Sequence, residues 1–326
     1  MLYLLACPDP PDSADSADTA LDLAPWQDVA ENLPGAVTSI WGDSALDLYV
    51  VGADAGSGPM AYHLSGGAWT PVEGLGSGDL WWVSGDEDRL WIAGAKGRVF
   101  RLDRATATLE SWVLDETVTF FGAWGAGDGS AWVVGGNTEV PSDAATAYHY
   151  DGREWTAVEL PPEIASQYAL YKVWGSGEAD VWAVGTGGVS MHWDGTTWTY
   201  IDTVAYVNLF TIHEGFAVGG DISGTILALS STGMVWSDES PDYALQLTGV
   251  YGGDKPVAVG ATGSVYFRDG DGWTADPREK PTYQDLHAAW VDPDGGTWAV
   301  GGHVSSQPLI QGAIVYTGPA AVPTLE

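Results

Sequence analysis

A tryptophan recurs along this chain at an almost fixed interval: Trp26, Trp69, Trp112, Trp155 and Trp198 are 43 residues apart, and Trp236 and Trp273 follow after 38 and 37. A second series is independent of the first. The glycine that closes each "AVG"-like stretch falls at Gly52, Gly94, Gly135, Gly185, Gly219, Gly260 and Gly301, which makes seven units of about 41 residues. A unit that short cannot bury its apolar face alone, so a repeat of this period must stack on its neighbours.

The internal grammar of a unit is clearest in the fourth. "YKVWG" is followed by a glycine- and acid-rich turn, then "VWAVG", "VSMHW", the turn "DGT" and "TWTYI". Related text occurs as "IWGDSALDLYVVG" from Ile40, "AWGAGDGSAWVVG" from Ala123 and "AWVDPDGGTWAVG" from Ala289. These runs are short, rich in Val, Trp, Tyr and Thr, and punctuated by Gly and Asp, which is the signature of a β-meander. No helical periodicity follows the N-terminal stretch. Four antiparallel strands, A to D from axis to rim, repeated seven times, describe an all-β, seven-bladed β-propeller.

The two series are offset. Trp26 precedes the first "WG" strand, whereas the seventh unit ends after strand C. "PWQDV", Pro25–Val29, is therefore expected to pair with "GAIVY", Gly312–Tyr316, and complete blade seven, leaving no free edge between first and last blades. The paired aromatics are expected to fill the wedges between blades, and the glycines to make tight turns near the axis.

The stretch "VWGSGEADVWAVGTGGVSMHWDGTTWT" is similar to the tryptophan-rich repeats of secreted bacterial β-propellers and, more loosely, to the BNR and photosystem-assembly propeller families. The resemblance covers residues 25–318. It implies a rigid platform whose loops carry the function. The sialidase Asp-box, S-x-D-x-G-x-T-W, is only approached: "DGTTW" at Asp194 and "DGREW" at Asp151 place Gly directly after Asp, one residue short. No glycosidase role is carried over from it.

Charge excludes one class of partner. The 44 acidic residues outnumber 11 basic ones, for a formal net charge of -33, and such a field repels nucleic-acid phosphates. It keeps the protein soluble and favours cationic partners. Cys7 is the only cysteine, so no internal disulfide can form. It ends "LYLLAC", which resembles the lipobox of bacterial lipoprotein signals, and an acidic, proline-bearing stretch without periodicity follows. Only six residues precede Cys7 and none is basic, so a truncated signal is expected. The organisation expected is a residual lipoprotein signal over 1–7, lipidated at Cys7, a disordered tether over 8–24, the propeller over 25–318 and a C-terminal tail over 319–326. Such a protein would sit outside the cell or on the outer-membrane surface as a monomer, touching the membrane only through its lipid.

Motifs for chemistry are sparse. There is no G-x-S-x-G, no second cysteine and no arginine cluster suited to clamping a substrate carboxylate. His63, His149 and His192 share one strand C position on different blades, so each is expected to pack or cap its own sheet. The turns "DPDGG" and "DGDG" make Asp292, Asp294, Asp269 and Asp271 the candidate calcium ligands, but neither turn completes a D-x-D-x-D-G loop. Plain hairpin turns and no cofactor are expected, with calcium the alternative.

Aromatics offer more. Trp81, Phe121, Tyr171, Phe210 and His287 begin the innermost strand in five of seven units. Two readings stay open: inter-blade filling, the commoner role, or a ring at one channel mouth that stacks on a ligand. The loops leading in carry Tyr168, Tyr206, Tyr243 and Tyr283, and the longest loops leaving strand B start at Gly136 and Gly302. The function expected is a non-enzymatic binding or scaffold propeller with a protein or glycan partner. The alternative is a carbohydrate-active enzyme, a glycoside hydrolase or lyase, which would need two carboxylates about 5 to 9 Å apart beneath the aromatics.

Overall fold

A computed structural model of the chain describes residues 24–137, 144–230, 233–270 and 272–325. Seven four-stranded antiparallel sheets succeed one another around a ring. Their innermost strands are Val37–Ser44, Leu80–Gly85, Thr119–Gly125, Leu170–Gly177, Leu209–His213, Leu247–Tyr251 and Asp285–Val291. In blade four the remaining strands are Asp180–Gly185, Ser190–Trp193 and Trp198–Tyr200, in the order read from the sequence. Among the described residues one α-helical turn, Pro162–Ala165, sits between blades three and four. Four residues are too few to leave a helical period in the sequence.

The ring closes as expected, with a longer strand. Residues Gln27–Gly35, beyond the Pro25–Val29 stretch, form the rim strand of blade seven, pairing Gln27 with Tyr316, Asp28 with Val315 and Leu33 with Gly312. Arg278 fastens the seam. Its guanidinium lies 5.1 Å from the Trp26 ring centroid, pairs with the Asp276 carboxylate at 2.6 Å, and donates to the Ala24 carbonyl and the Thr317 hydroxyl. The C-terminal residues add a second fastening: the Leu325 amide donates to the Val29 carbonyl at 2.9 Å, and the Trp69 indole donates to the Pro323 carbonyl at 3.0 Å.

Burial is divided among the joints. Seven of the buried clusters each join the facing sheets of two neighbouring blades, including the closing joint of blades seven and one. Strand B and strand D aromatics meet at five of these joints. Trp91 meets Trp155, Trp132 meets Trp198, Trp182 meets Trp236, Phe216 meets Trp273 and Trp298 meets Trp69, all edge-to-face at interplanar angles of 80–90°. Each pair joins strand B of one blade to strand D of the next. Such pairs contribute about 0.5–1.5 kcal/mol beyond their area at these five joints.

Candidate functional site

The seven closing glycines lie in strand B rather than in turns, and the reason is close approach. A Cβ on Gly52, Gly135, Gly185, Gly219, Gly260 or Gly301 would stand 1.9–2.1 Å from a carbonyl oxygen at the start of the adjacent strand A or on the residue just before it, and one on Gly94 would stand 2.7 Å from its counterpart. Beside that contact strand A bulges. The ladder skips one residue in every blade: Thr38, Trp81, Phe121, Tyr171, Phe210, Thr248 and His287. A bulge re-aims a side chain at a sheet edge, and here the edge is the channel wall. All five aromatic positions expected from the sequence fall in this set, with Thr38 and Thr248 completing the circle.

The seven form a crown at the mouth where strand A begins. His287 and Trp81 have centroids 6.1 Å apart, Trp81 and Phe121 5.2 Å, Phe121 and Tyr171 5.4 Å, and Tyr171 stacks on Phe210 at 5.6 Å. The five rings thus run as a row from His287 to Phe210, and the bulge of blade six places Thr248 between the two ends. Hydrogen bonds tie the same residues to adjoining blades. Thr38 Oγ1 donates to the Leu80 carbonyl at 2.8 Å, Thr211 Oγ1 to that of Thr248 at 2.6 Å, and Thr248 Oγ1 to that of Leu286. His287 Nδ1 donates to the Thr38 carbonyl at 2.6 Å, which fixes the proton on that nitrogen.

Lys172, which the sequence reading passed over, lies one residue beyond the crown position. It is 3% exposed, its ammonium is 4.1 Å from the Trp82 ring centroid, and it donates to the Phe121 carbonyl at 2.9 Å. Burial lowers its pKa to about 7. Burial first and the Lys172 charge second push His287 down to about 3, against the Thr38 hydrogen bond. A legible signal existed: the equivalent residues are Ser39, Trp82, Gly122, Thr211, Gly249 and Ala288, so Lys172 alone brings a charge to this layer. None of the seven crown residues is a carboxylate. Two acids at the entry to strand A serve backbone: Asp79 accepts from the Asp54 amide at 2.9 Å and Asp285 from the Thr262 amide at 2.9 Å.

The other candidates disperse. His63 stacks on Tyr49 and bonds Asp47 at 2.8 Å, His192 stacks on Trp182 and bonds Asp180 at 2.8 Å, and His149 rests on Trp132. Each serves its own blade. Asp292 is buried, and its Oδ1 accepts from the amides of Asp294 and Gly296 at 2.9 Å, so it holds its own turn together. Asp269 ends a strand C and pairs with Gly272. These turns lie at the ends of the blades away from the crown. Asp271 and Cys7 are outside the described residues. Among the described residues, no group of three or more His, Cys, Asp or Glu side chains is placed to hold a metal ion.

The crown shares its face with the loops running from strand D into the next strand A. Beside the loop Asp276–Pro281 lie two cavities, about 230 Å³ under Tyr243, Leu245 and Ser264 and about 460 Å³ beside Trp26 and Asp28. Ser264 Oγ is buried without a hydrogen-bond partner.

This geometry defines a seven-bladed β-propeller with an aromatic hub mouth. No family matches the sequence, and neither does any curated protein. Solved structures do resemble it. YCF48 from Cyanidioschyzon merolae superposes with a TM-score of 0.67 at 14% identity over 91% of this chain and 99% of that one. Virginiamycin B lyase from Staphylococcus aureus gives 0.67 at 12% identity, covering 89% and 98%. The extracellular domain of BT4673 from B. thetaiotaomicron gives 0.63 at 11% identity over 89% of this chain, which spans only 39% of that domain. At these identities the likeness concerns the fold. Among the described residues, no helix is long and apolar enough to cross a membrane.

Proposed function

We propose that this propeller is a non-enzymatic binding or scaffold protein that presents its crown face to a protein or glycan partner at the cell surface, anchored through a lipid on Cys7. The observation that carries the reading is the crown: five aromatic rings in one row, each on a backbone bulge of its own strand A. Aromatic surface with few polar groups suits recognition. Glycoside cleavage, by contrast, needs a carboxylate pair at the reacting centre, and none of the seven crown residues is a carboxylate.

A combined Trp81→Leu, Phe121→Leu and Phe210→Leu variant keeps apolar bulk in the hub while removing three ring faces. Full-length protein and variant would be passed over a glycan array and over proteins secreted by the native host. Loss of at least about tenfold in affinity for whatever the parent binds, with the melting temperature held, supports the reading. Equal binding by the variant overturns it. For the anchor, Cys7→Ser expressed behind a complete export signal should leave the membrane fraction.

A further inference from the structure

We propose that the crown face docks an arginine-rich segment of a protein partner along the loops that enter blades five, six and seven. The inference rests on the reading of this face as the binding surface and specifies the chemistry of what it takes. Those three consecutive loops each raise one tyrosine into solvent at a matching place: Tyr206 precedes Phe210 by four residues, Tyr243 precedes Thr248 by five and Tyr283 precedes His287 by four. They are 88%, 98% and 82% exposed. Ile222, 86% exposed, is tied to the middle loop, since the Gln246 amide donates to its carbonyl at 3.2 Å. Single apolar residues scattered over a surface need no explanation, but exposed rings on the same loop of three adjacent blades mark an interaction surface. Tyrosine supplies broad contact area with little rotamer entropy to lose.

Charge fixes the sign of the partner. Asp202, Asp221, Asp242 and Glu279 are exposed beside the row. Two cations oppose them: Arg278 is neutralised by Asp276 at 2.6 Å, and the Lys280 ammonium is bonded to the Thr262 carbonyl at 2.8 Å. A guanidinium complements such a surface because it stacks flat on a ring and forks onto a carboxylate at once, which a lysine ammonium cannot do.

The test titrates the full-length chain, at about 0.15 M salt so that diffuse attraction is screened, with fluorescein-labelled octa-arginine and octa-lysine, read by anisotropy. A Tyr206→Ser, Tyr243→Ser, Tyr283→Ser variant leaves net charge unchanged and replaces three side chains that are more than four-fifths exposed. The expected results are tighter binding of octa-arginine than octa-lysine, a loss of at least about tenfold in the tyrosine variant, and a gain on Lys280→Ala. Equal binding of octa-arginine by parent and tyrosine variant means that bulk charge alone is responsible, and the inference falls. If cationic peptides fail to bind while a glycan binds and is lost in the tyrosine variant, or Lys280→Ala weakens binding, the partner class is wrong although the face is right. Binding lost only in the crown variant moves the site inward and likewise removes this inference.

Discussion

At the scale of single residues, the hub depends on side chains that are missing. Gly185 faces the Ala169 carbonyl so closely that an added Cβ would stand 2.0 Å away, while at Gly177 a Cβ would meet nothing within 4 Å. Gly185→Ala is therefore expected to lower stability by about 3 kcal/mol, as overpacking does, and Gly177→Ala to leave it nearly unchanged; thermal melts of the pair decide it. Lys172 gives a second prediction. Its folded pKa of about 7 lies below its usual value of 10.5, so between those pH values the unfolded chain binds more protons and stability rises with pH. Lys172→Met removes that slope. The melting-temperature difference between parent and variant should move in the parent's favour from pH 7 to 9.5, and a constant difference would count against the buried cation. The crown aromatics were legible as residues, because five of seven recur at one repeat position. Their geometry was not, because a bulge leaves no mark in a string of letters unless the glycine opposite is recognised as the space it requires.

At the scale of elements, the rim strand of blade seven carries more than the sequence assigned it. Pairing runs from Gln27 to Gly35, and the Leu325 amide and Pro323 carbonyl bind to Val29 and Trp69. Removal of residues 1–35 exposes the edge formed by Ile310–Thr317 and the closing cluster of blades seven and one. A fall in melting temperature of well over 10 °C is expected, with aggregation through the bared strand; a truncated chain that melts like the parent would refute the closure. The offset between the tryptophan series and the glycine series made this strand readable. The C-terminal fastening was unreadable, because Leu325 and Pro323 stand outside the repeat and only the folded seam shows what they touch.

At the scale of the molecule, the acidity of the chain is partly a by-product of turn chemistry. Asp151 and Asp194 each accept two backbone amides of their own turn, and those bonds hold their carboxyls below the usual range. Groups with lowered acid pKa values stabilise the fold above about pH 4 and stop doing so as pH falls through the folded value. Histidine acts earlier. His213, its Nδ1 accepting the Gly252 amide at 3.0 Å, is pushed by burial to about 4, and His287 to about 3. Between pH 6.5 and 5 the unfolded chain takes up protons that these two refuse. Stability should drop by an amount on the order of 2 kcal/mol for each by pH 5. A flat melting profile across that window would contradict their burial. Chelator, in contrast, is expected to leave the melting temperature unchanged, because the Asp292 Oδ1 is already engaged by its own turn; a marked drop would restore calcium to the Asp292 and Asp294 turn.

The ring begins with a strand D and ends with a strand C, so its natural break falls within the C–D connection of blade seven. Thr317 donates to the Ala24 carbonyl at 2.6 Å, which places the two sides of that break in contact. A short linker from 317 to 24, with a new opening at the Asp194–Thr197 turn of blade four, would yield a circular permutant of the same closed topology. Closure needs only that a strand D from one end of the chain meet a strand C from the other, so blade four could hold such a seam, without the Arg278 and Leu325 fastenings of blade seven.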